Sequence, residues 1–159
     1  VEKVKSIIET VIAAGYTNFY VTGATLAEYS NGTAKTVVGE AIRLLAEGTT
    51  VSLLLPEATS ISNNAFYNCT ALTSVSAPKA TTIGDNAFQY CDALTSLTFG
   101  SVIESVGTDA FKEFTTENCD LTLGTGQEHI ADDGTPNGTA VTAGETSWAG
   151  KTWKSITLK

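Results

Sequence analysis

The amino-acid sequence predicts an α/β solenoid, a fold in which short repeated units stack and contribute one parallel strand each. Two observations predict it. First, residues 61–78 return as residues 83–100, a shift of 22 residues, and a third, partial copy runs from Val106 to Gly124. Second, the spacing of apolar residues changes inside each unit from three to two. A fixed repeat of this length is the sequence signature of a stacked architecture.

Each unit predicts a tight turn followed by a short strand. In Asn-Ala-Phe-x-x-Cys-x-x-Leu the apolar residues lie three apart, as in a short helix or 3₁₀ turn. Asn63, Asp85 and Thr108 stand where they would cap it. The next stretch, Leu-x-x-Val-x-Ala, alternates by two, which is the period of a strand. The expected core positions are the pairs Ile61/Ile83, Ala65/Ala87, Phe66/Phe88, Cys69/Cys91, Leu72/Leu94 and Val75/Leu97.

One such unit buries too few side chains to offset the conformational entropy that folding removes. We therefore expect the units to share one continuous core, with Phe66, Phe88 and Phe111 in a single column. Crossover connections between parallel strands are almost always right-handed, so a right-handed solenoid is predicted.

The two ends of the chain predict different structures within one domain, residues 1–159. Residues 1–60 read as two helix–Gly–strand units, with helices at 1–14 and 35–47 and strands at 18–22 and 50–55, and we expect them to form a helical N-terminal cap. Residues 61–124 hold the repeats. Residues 125–147 are turn-rich and acidic and predict an exposed loop. Residues 148–159 predict a capping strand, with tryptophan covering the open end of the core.

Composition excludes several classes of partner. Nine basic and seventeen acidic residues give a net charge of −8, which disfavours nucleic acid and an anionic membrane surface. Charged residues are only 16% of the chain, and 26 Thr and 12 Ser supply much of its polarity. No apolar run approaches the roughly 18 residues that cross a bilayer, so no membrane insertion of this segment is expected. The sequence begins at Val1 without a signal-like segment, so we expect the targeting segment to be missing from it.

The cysteines and the one histidine are the candidates for chemistry. Cys69 and Cys91 are expected to stack one strand apart as buried, reduced thiols. Phe114 replaces the third cysteine, so Cys119 lies outside the column and is expected at the surface. His129 lies near Glu128, Asp132 and Asp133, which could ligate a metal, but their spacing matches no known metal motif. We therefore expect a solvated acidic loop with no metal, no cofactor and no catalytic residue.

The strand positions that point away from the core are the better candidates for binding. Stacked every ~4.8 Å, they predict a hydroxyl-rich sheet face that offers hydrogen bonds without strong charge. The alternative is that these residues only solvate the face, since strands favour Thr in any case. The candidate ligand-binding residues are Ser74, Ser76, Ser96, Thr98, Asp120, Thr122, Ser155 and Thr157.

The pattern Ile-Gly-x-x-Ala-Phe-x-x-Cys-x-x-Leu-x-x-[Val/Leu]-x-[Ala/Phe] resembles the BspA-like leucine-rich repeat of bacterial cell-surface proteins, including those of anaerobes. The resemblance covers residues 61–124. It implies a curved solenoid with parallel strands on the concave face, a secreted or surface location, and adhesion to a host or microbial surface protein or glycan. It implies no catalytic residues, because the motif is a core motif.

Two functions are open at this point. The chain is a binding module that acts through the concave sheet, or it is a structural spacer or cap of a larger surface protein and has no ligand of its own. We expect it to be a monomer, with which its acidic charge is compatible. The alternative is pairing through the edge of the last strand, which Lys151, Lys154 and Lys159 would weaken.

Overall fold

The computed structural model describes residues 2–20 and 37–159, and they form a parallel-strand solenoid of about three turns. Its helices are α1 (Glu2–Ala13), α2 (Val37–Arg43) and a 3₁₀ helix at Thr116–Asn118. Its strands are β1 (Asn18–Tyr20), β2 (Val51–Leu54), β3 (Ser60–Ile61), β4 (Leu72–Ser76), β5 (Thr82–Ile83), β6 (Ser96–Thr98), β7 (Ser105–Val106), β8 (Asp120–Leu123), β9 (Glu128–Ile130), β10 (Pro136–Ala140), β11 (Ser147–Trp148), β12 (Lys151–Thr152) and β13 (Ser155–Leu158). The predicted α/β solenoid is confirmed. Its right-handed winding, its concave curvature, the helical cap and the domain boundaries stay predictions.

Two parallel sheets form two sides of the solenoid. The larger has six strands in the order β1-β2-β4-β6-β8-β13, and the smaller has the order β3-β5-β7. Each unit gives one strand to each sheet, because Ile61, Ile83 and Val106 pair in register in the small sheet. The second strand of each unit was not predicted, since two residues are too short to show an alternating pattern.

The third side is built from turns closed by hydrogen bonds between residues three apart, such as Cys69 N–H to the Phe66 carbonyl at 3.2 Å. The 3₁₀-type turn of the prediction is therefore present, whereas no helix forms at residues 62–69 or 84–91. The backbone N–H groups of Asn64, Phe66 and Asn68 donate to carbonyls of the next unit at 2.8–2.9 Å. Asn64 and Asn68 adopt φ values of 55° and 56°. The positive φ values of these residues direct the N–H groups towards the neighbouring unit. In a helix the same N–H groups would bond to carbonyls of that helix.

The predicted caps also act between units. The Asn63 Oδ1 accepts a hydrogen bond from the backbone N–H of Asp85 at 2.9 Å. The Asp85 Oδ1 accepts one from Thr108 at 2.7 Å. These side chains therefore bond the start of the following turn instead of capping their own.

In each unit that stacks on a preceding unit, glycine directly follows the small-sheet strand. A methyl group on Gly107 would overlap the backbone nitrogen of Asp85, and one on Gly84 would overlap the backbone nitrogen of Asn63. The first unit carries Ser62 at this position, and its strand β3 is the end strand of the small sheet. Close approach of two backbones, rather than a special φ, is what requires glycine here.

We expect Gly107→Ala to destabilise the protein by about 1–3 kcal/mol, because the added carbon forces backbones apart in a packed region. Urea unfolding followed by circular dichroism measures the loss. Ser62→Ala is the matched control, since it occupies the same position of the repeat, and we expect its midpoint to stay close to that of the wild type. Equal midpoints for the two variants would contradict the role given to Gly107.

The predicted phenylalanine column is confirmed. The rings of Phe66 and Phe88 stack at 5.5 Å between centroids, and those of Phe88 and Phe111 at 5.9 Å with planes only 4° apart. Phe66 and Phe88 are completely buried. The three repeats therefore fill one continuous core, as the energetics of a single unit required.

The N-terminal elements follow the prediction, with shorter bounds. The helix predicted at 35–47 is α2, which ends at Arg43, and β1 pairs in parallel with β2. Ile8 is buried, and Ile12 packs against the core. The predicted positions 1, 21, 22, 35 and 36 lie outside the described residues.

The C-terminal part is more ordered than predicted. Residues 125–147, predicted as an exposed loop, contain the antiparallel hairpin of β9 and β10. Every residue of β10 is exposed, and this lack of an apolar face is why the sequence showed no strand period.

Strand β13 pairs in parallel with β8, as the predicted capping strand should. Trp153 lies 5.1 Å from Phe111 between ring centroids, and Trp148 lies 6.1 Å from it.

Candidate ligand-binding face

The register of the large sheet brings all eight predicted binding residues onto one face. Ser74 pairs with Ser96, which pairs with Asp120, which pairs with Ser155. The second column is Ser76, Thr98, Thr122 and Thr157 in the same four strands. We call these eight residues the hydroxyl face.

The strand period places these side chains outside the core. Between the two columns lie Val75, Leu97, Leu121 and Ile156, all of them buried. Seven of the eight face residues are half-buried, and Thr157 is exposed. Successive strand residues point to opposite sides of a sheet, so the apolar column in the middle fixes the polar columns on the outside.

Asp120 is already engaged within the protein. Its Oδ2 accepts a hydrogen bond from the Lys154 ammonium at 2.8 Å, and its Oδ1 accepts one from the Ser155 hydroxyl at 2.7 Å. Lys154 and Ser155 together hold the pKa of the Asp120 carboxyl below its usual value. The negative charge that the sequence placed on the face is therefore balanced by a neighbouring cation.

The other six face residues keep their hydroxyl groups available. Within the described residues, none of these hydroxyls bonds to another protein group, and they are Ser74, Ser76, Ser96, Thr98, Thr122 and Thr157. Each can donate one hydrogen bond and accept two. Because neighbouring strands lie ~4.8 Å apart, the face presents two parallel rows of evenly spaced hydrogen-bonding groups.

The face extends further than the sequence indicated. Ser52 pairs with Ser74 and Asn18 with Ser52, so the first column reaches β1. Leu54 is the β2 member of the second column and is 37% exposed. The register between β2 and β4 shifts between Val51 and Ser52, and the Thr73 hydroxyl donates to the Val51 carbonyl at 3.0 Å. Ser52 and Leu54 lie 22 residues before Ser74 and Ser76, so the repeat offset was the signal that could have extended the face to β2.

A shallow cavity of about 380 Å³ lies at this extended end of the face. Phe19, Leu53 and Leu54 supply its apolar wall, and the Ser52, Ser74 and Ser76 hydroxyls lie beside them. An apolar patch beside ordered hydroxyls is the usual composition of a small binding site.

We expect the Asp120 carboxyl to titrate below the ordinary 3.8, and Lys154→Met to raise its pKa. A lowered pKa stabilises the folded state above the unfolded pKa, and this stabilisation is lost as the pH falls through the lower folded value. NMR titration of the side-chain carboxyl carbon measures both values, and Asp133, whose pKa Thr135 lowers, is the internal control. An unchanged Asp120 midpoint in Lys154→Met would contradict the pairing.

None of the three described cysteines forms a disulfide, and all three are buried. The prediction of reduced, buried Cys69 and Cys91 agrees with this, and the Cys91 thiol donates to the Phe66 carbonyl at 2.9 Å. Cys119 is also buried, so its predicted surface position is wrong. Burial raises the pKa of Cys91 and of Cys119 to about 12 each. The pattern Cys119-x-Leu121-x-Leu123 alternates by two, and that signal places the thiol on the inner side of β8.

The candidate metal ligands near His129 bond to separate partners. His129 Nε2 lies 2.8 Å from the Glu145 carboxylate, and Glu128 accepts the backbone N–H of Gly138 at 2.8 Å. Asp133 accepts two hydrogen bonds from Thr135. The described residues contain no group of three or more His, Cys, Asp or Glu side chains suited to a metal ion.

Neither described α-helix is long and apolar enough to span a membrane.

Comparison with known proteins assigns the repeat. A family model described as "BspA type Leucine rich repeat region (6 copies)" matches residues 54–131. Searches of curated proteins and of solved structures found no significant match. The match covers the three turn-and-strand units and continues into β9. The repeat region at residues 54–131 therefore matches the BspA-type leucine-rich repeat, as its core motif predicted.

Proposed function

We propose that this chain is a binding module that recognises a protein or glycan ligand through the hydroxyl face. BspA-type leucine-rich-repeat regions are generally protein-interaction and surface modules, and they typically lie on bacterial cell surfaces. Solenoids of this family are typically non-enzymatic. We extend these general properties to this chain as a secreted or surface-displayed adhesion module.

The observation that carries the proposal is the pair of in-register columns with six available hydroxyls. A ligand with regularly repeating polar groups, such as an extended peptide or a glycan chain, can hydrogen-bond to several strands at once. The protein's net charge of −8 disfavours polyanionic ligands, whereas uncharged hydroxyls do not repel neutral ones. The cavity beside Leu54 gives such a ligand one apolar contact next to the polar rows.

The test is a screen of immobilised glycans and of surface proteins against the wild type and the double variant Ser96→Lys/Thr98→Lys. Both residues lie at the centre of the hydroxyl face, on β6. The matched control is Thr82→Lys/Ser105→Lys, which adds the same charge to half-buried hydroxyl positions of the small sheet. We expect saturable binding by the wild type and the control, and loss of binding in the face variant.

Two other outcomes decide against the proposal. Absence of a saturable signal for the wild type would favour the structural spacer. Equal loss in the two double variants would show that added charge, rather than the hydroxyl face, controls binding. Separate glycan and protein panels distinguish the two ligand classes.

A further inference from the structure

Strand β13 is the end strand of the large sheet among the described strands, and it pairs only with β8. The Lys159 N–H donates to the Leu123 carbonyl at 3.0 Å, and the Lys159 carbonyl accepts from Thr125 at 2.7 Å. Because peptide groups alternate in direction along a strand, Ser155 and Thr157 also face β8. The N–H and C=O groups of Ile156 and Leu158 therefore point away from the sheet, with no described strand to bond them.

The hydrophobic core does not continue past this edge. Trp148 and Trp153 are each 1% exposed. The Trp153 ring packs on Phe111 and Phe114, and its Nε1 donates to the Trp148 carbonyl at 3.1 Å. The core is thus closed by aromatic side chains where the sheet is still open. What the edge offers is backbone hydrogen bonding, which is the main attraction when an extended peptide adds to a sheet.

The charge around this edge is opposite to that of the whole protein. Residues 146–159 contain Lys151, Lys154 and Lys159 and no Asp or Glu, so they carry +3 in a chain of net −8. Lys154 is paired with Asp120, yet more than half of its side chain is exposed. Because Asp120 balances the charge of Lys154, the positive charges left for carboxylates on an incoming strand are those of Lys151, before the start of β13, and Lys159, at its end.

The same lysines disfavour a second copy of the chain. If two β13 strands paired antiparallel through their outward groups, with Ile156 opposite Leu158, Lys159 of each copy would lie opposite Ser155 and next to Lys154 of the other copy. This places like charges close together on neighbouring strands, which is unfavourable. Lysine on an edge strand is a common means of preventing self-pairing. The lysines therefore disfavour pairing between the β13 strands of two copies of the chain.

We propose that the β13 edge binds an extended segment of another protein as an additional strand, and that this segment carries acidic residues on both sides of a short uncharged stretch. The four outward backbone groups of Ile156 and Leu158 supply the hydrogen bonds, and the lysines select the charge. This site is separate from the hydroxyl face, so either can function without the other.

Fluorescence anisotropy with synthetic peptides tests the proposal. The probe is an alternating Thr-Val tetrapeptide with two Glu at each end, and the matched control has two Lys at each end. A third peptide keeps the Glu residues but carries an N-methyl group on every amide of the Thr-Val tetrapeptide, because methylation of alternate amides would leave one edge of the strand able to pair. We expect the acidic probe to bind saturably, and the lysine peptide to bind with an affinity at least about tenfold lower. The methylated peptide should not bind. Equal binding of the methylated probe would overturn strand addition, and equal binding of the lysine peptide would overturn charge selection.

Leu158→Pro tests the edge on the protein. Proline removes an N–H that β8 does not use, so the fold should persist, as it does for proline on other edge strands. Leu158→Ala is the control for the lost side chain. We expect Leu158→Ala to bind the acidic probe and Leu158→Pro to lose at least tenfold in affinity, with similar circular dichroism for both. Equal affinities would overturn the proposal, as would a wild-type dimer in sedimentation that Leu158→Pro dissociates. The methylated peptide decides the matter if Leu158→Pro does not fold.

Discussion

Phe88→Ala should destabilise the protein by about 3–5 kcal/mol, the range measured when a buried phenylalanine is truncated. Phe88 is completely buried and stacks on Phe66 on one side and on Phe111 on the other. Phe99 also contacts its ring, at 6.4 Å between centroids. Alanine would leave a cavity at the centre of the column, and the backbone hydrogen bonds between units hold the walls apart and resist its collapse. Urea unfolding measures the loss as a lower midpoint.

The position of Phe88 predicts a second effect. In a stack whose units contact only their neighbours, weakening the middle unit reduces the coupling between the two ends. We expect a broader unfolding transition for Phe88→Ala, and non-additive free energies when Phe66→Ala is combined with it. Val102→Ala is the control, because Val102 is 37% exposed and should shift the stability little. Additive effects of Phe66 and Phe88 would argue against one continuous column.

Trp153→Ala should also cost about 3–5 kcal/mol, because it removes one of the two tryptophan rings at the closed end of the core. Trp153 is 1% exposed. Its ring contacts Phe111 and Phe114, and its N–H satisfies the buried Trp148 carbonyl. Hydrogen exchange followed by mass spectrometry should show lost protection in β12, and in β13 before the other strands of the large sheet, since β12 and β13 adjoin Trp153 in the chain.

Trp153→Phe separates packing from hydrogen bonding. It keeps an aromatic ring but removes the donor to the Trp148 carbonyl, which should cost on the order of 1–3 kcal/mol for the unsatisfied group and a smaller ring. The emission of Trp148 then reports whether its surroundings stay apolar. Wild-type stability in Trp153→Ala would show that residues 148–159 are only appended to the solenoid and do not close it.

Much of the candidate site could be predicted because it repeats a local pattern. The alternation around Val75, Leu97, Leu121 and Ile156 is visible in each segment separately, and it fixes which neighbours face outward. Stacking the segments at the repeat spacing then gives the two hydroxyl columns. The engagement of Asp120 could not be predicted in this way. Its partner Lys154 lies 34 residues away and outside the repeat.

The errors have a common physical origin. The turns at 62–69 and 84–91 have the apolar spacing of a short helix, but several of their backbone N–H groups bond to the next unit. The sequence of one unit alone does not indicate these bonds between units. Cys119 was assigned by counting residues from the repeat, although an inward position follows from its place before β8. The β9–β10 hairpin has no buried face of its own, so hydrophobic periodicity gave no sign of it.

The sequence by itself determined the stacking of repeats, the phenylalanine column and the hydroxyl face, because each follows from periods that span only a few residues. Only the tertiary structure decided how the turns bond, which face residues remain available, how tryptophan closes the core and where the sheet keeps an open edge. Those features depend on contacts between residues distant in sequence, and such contacts exist only once the units are stacked.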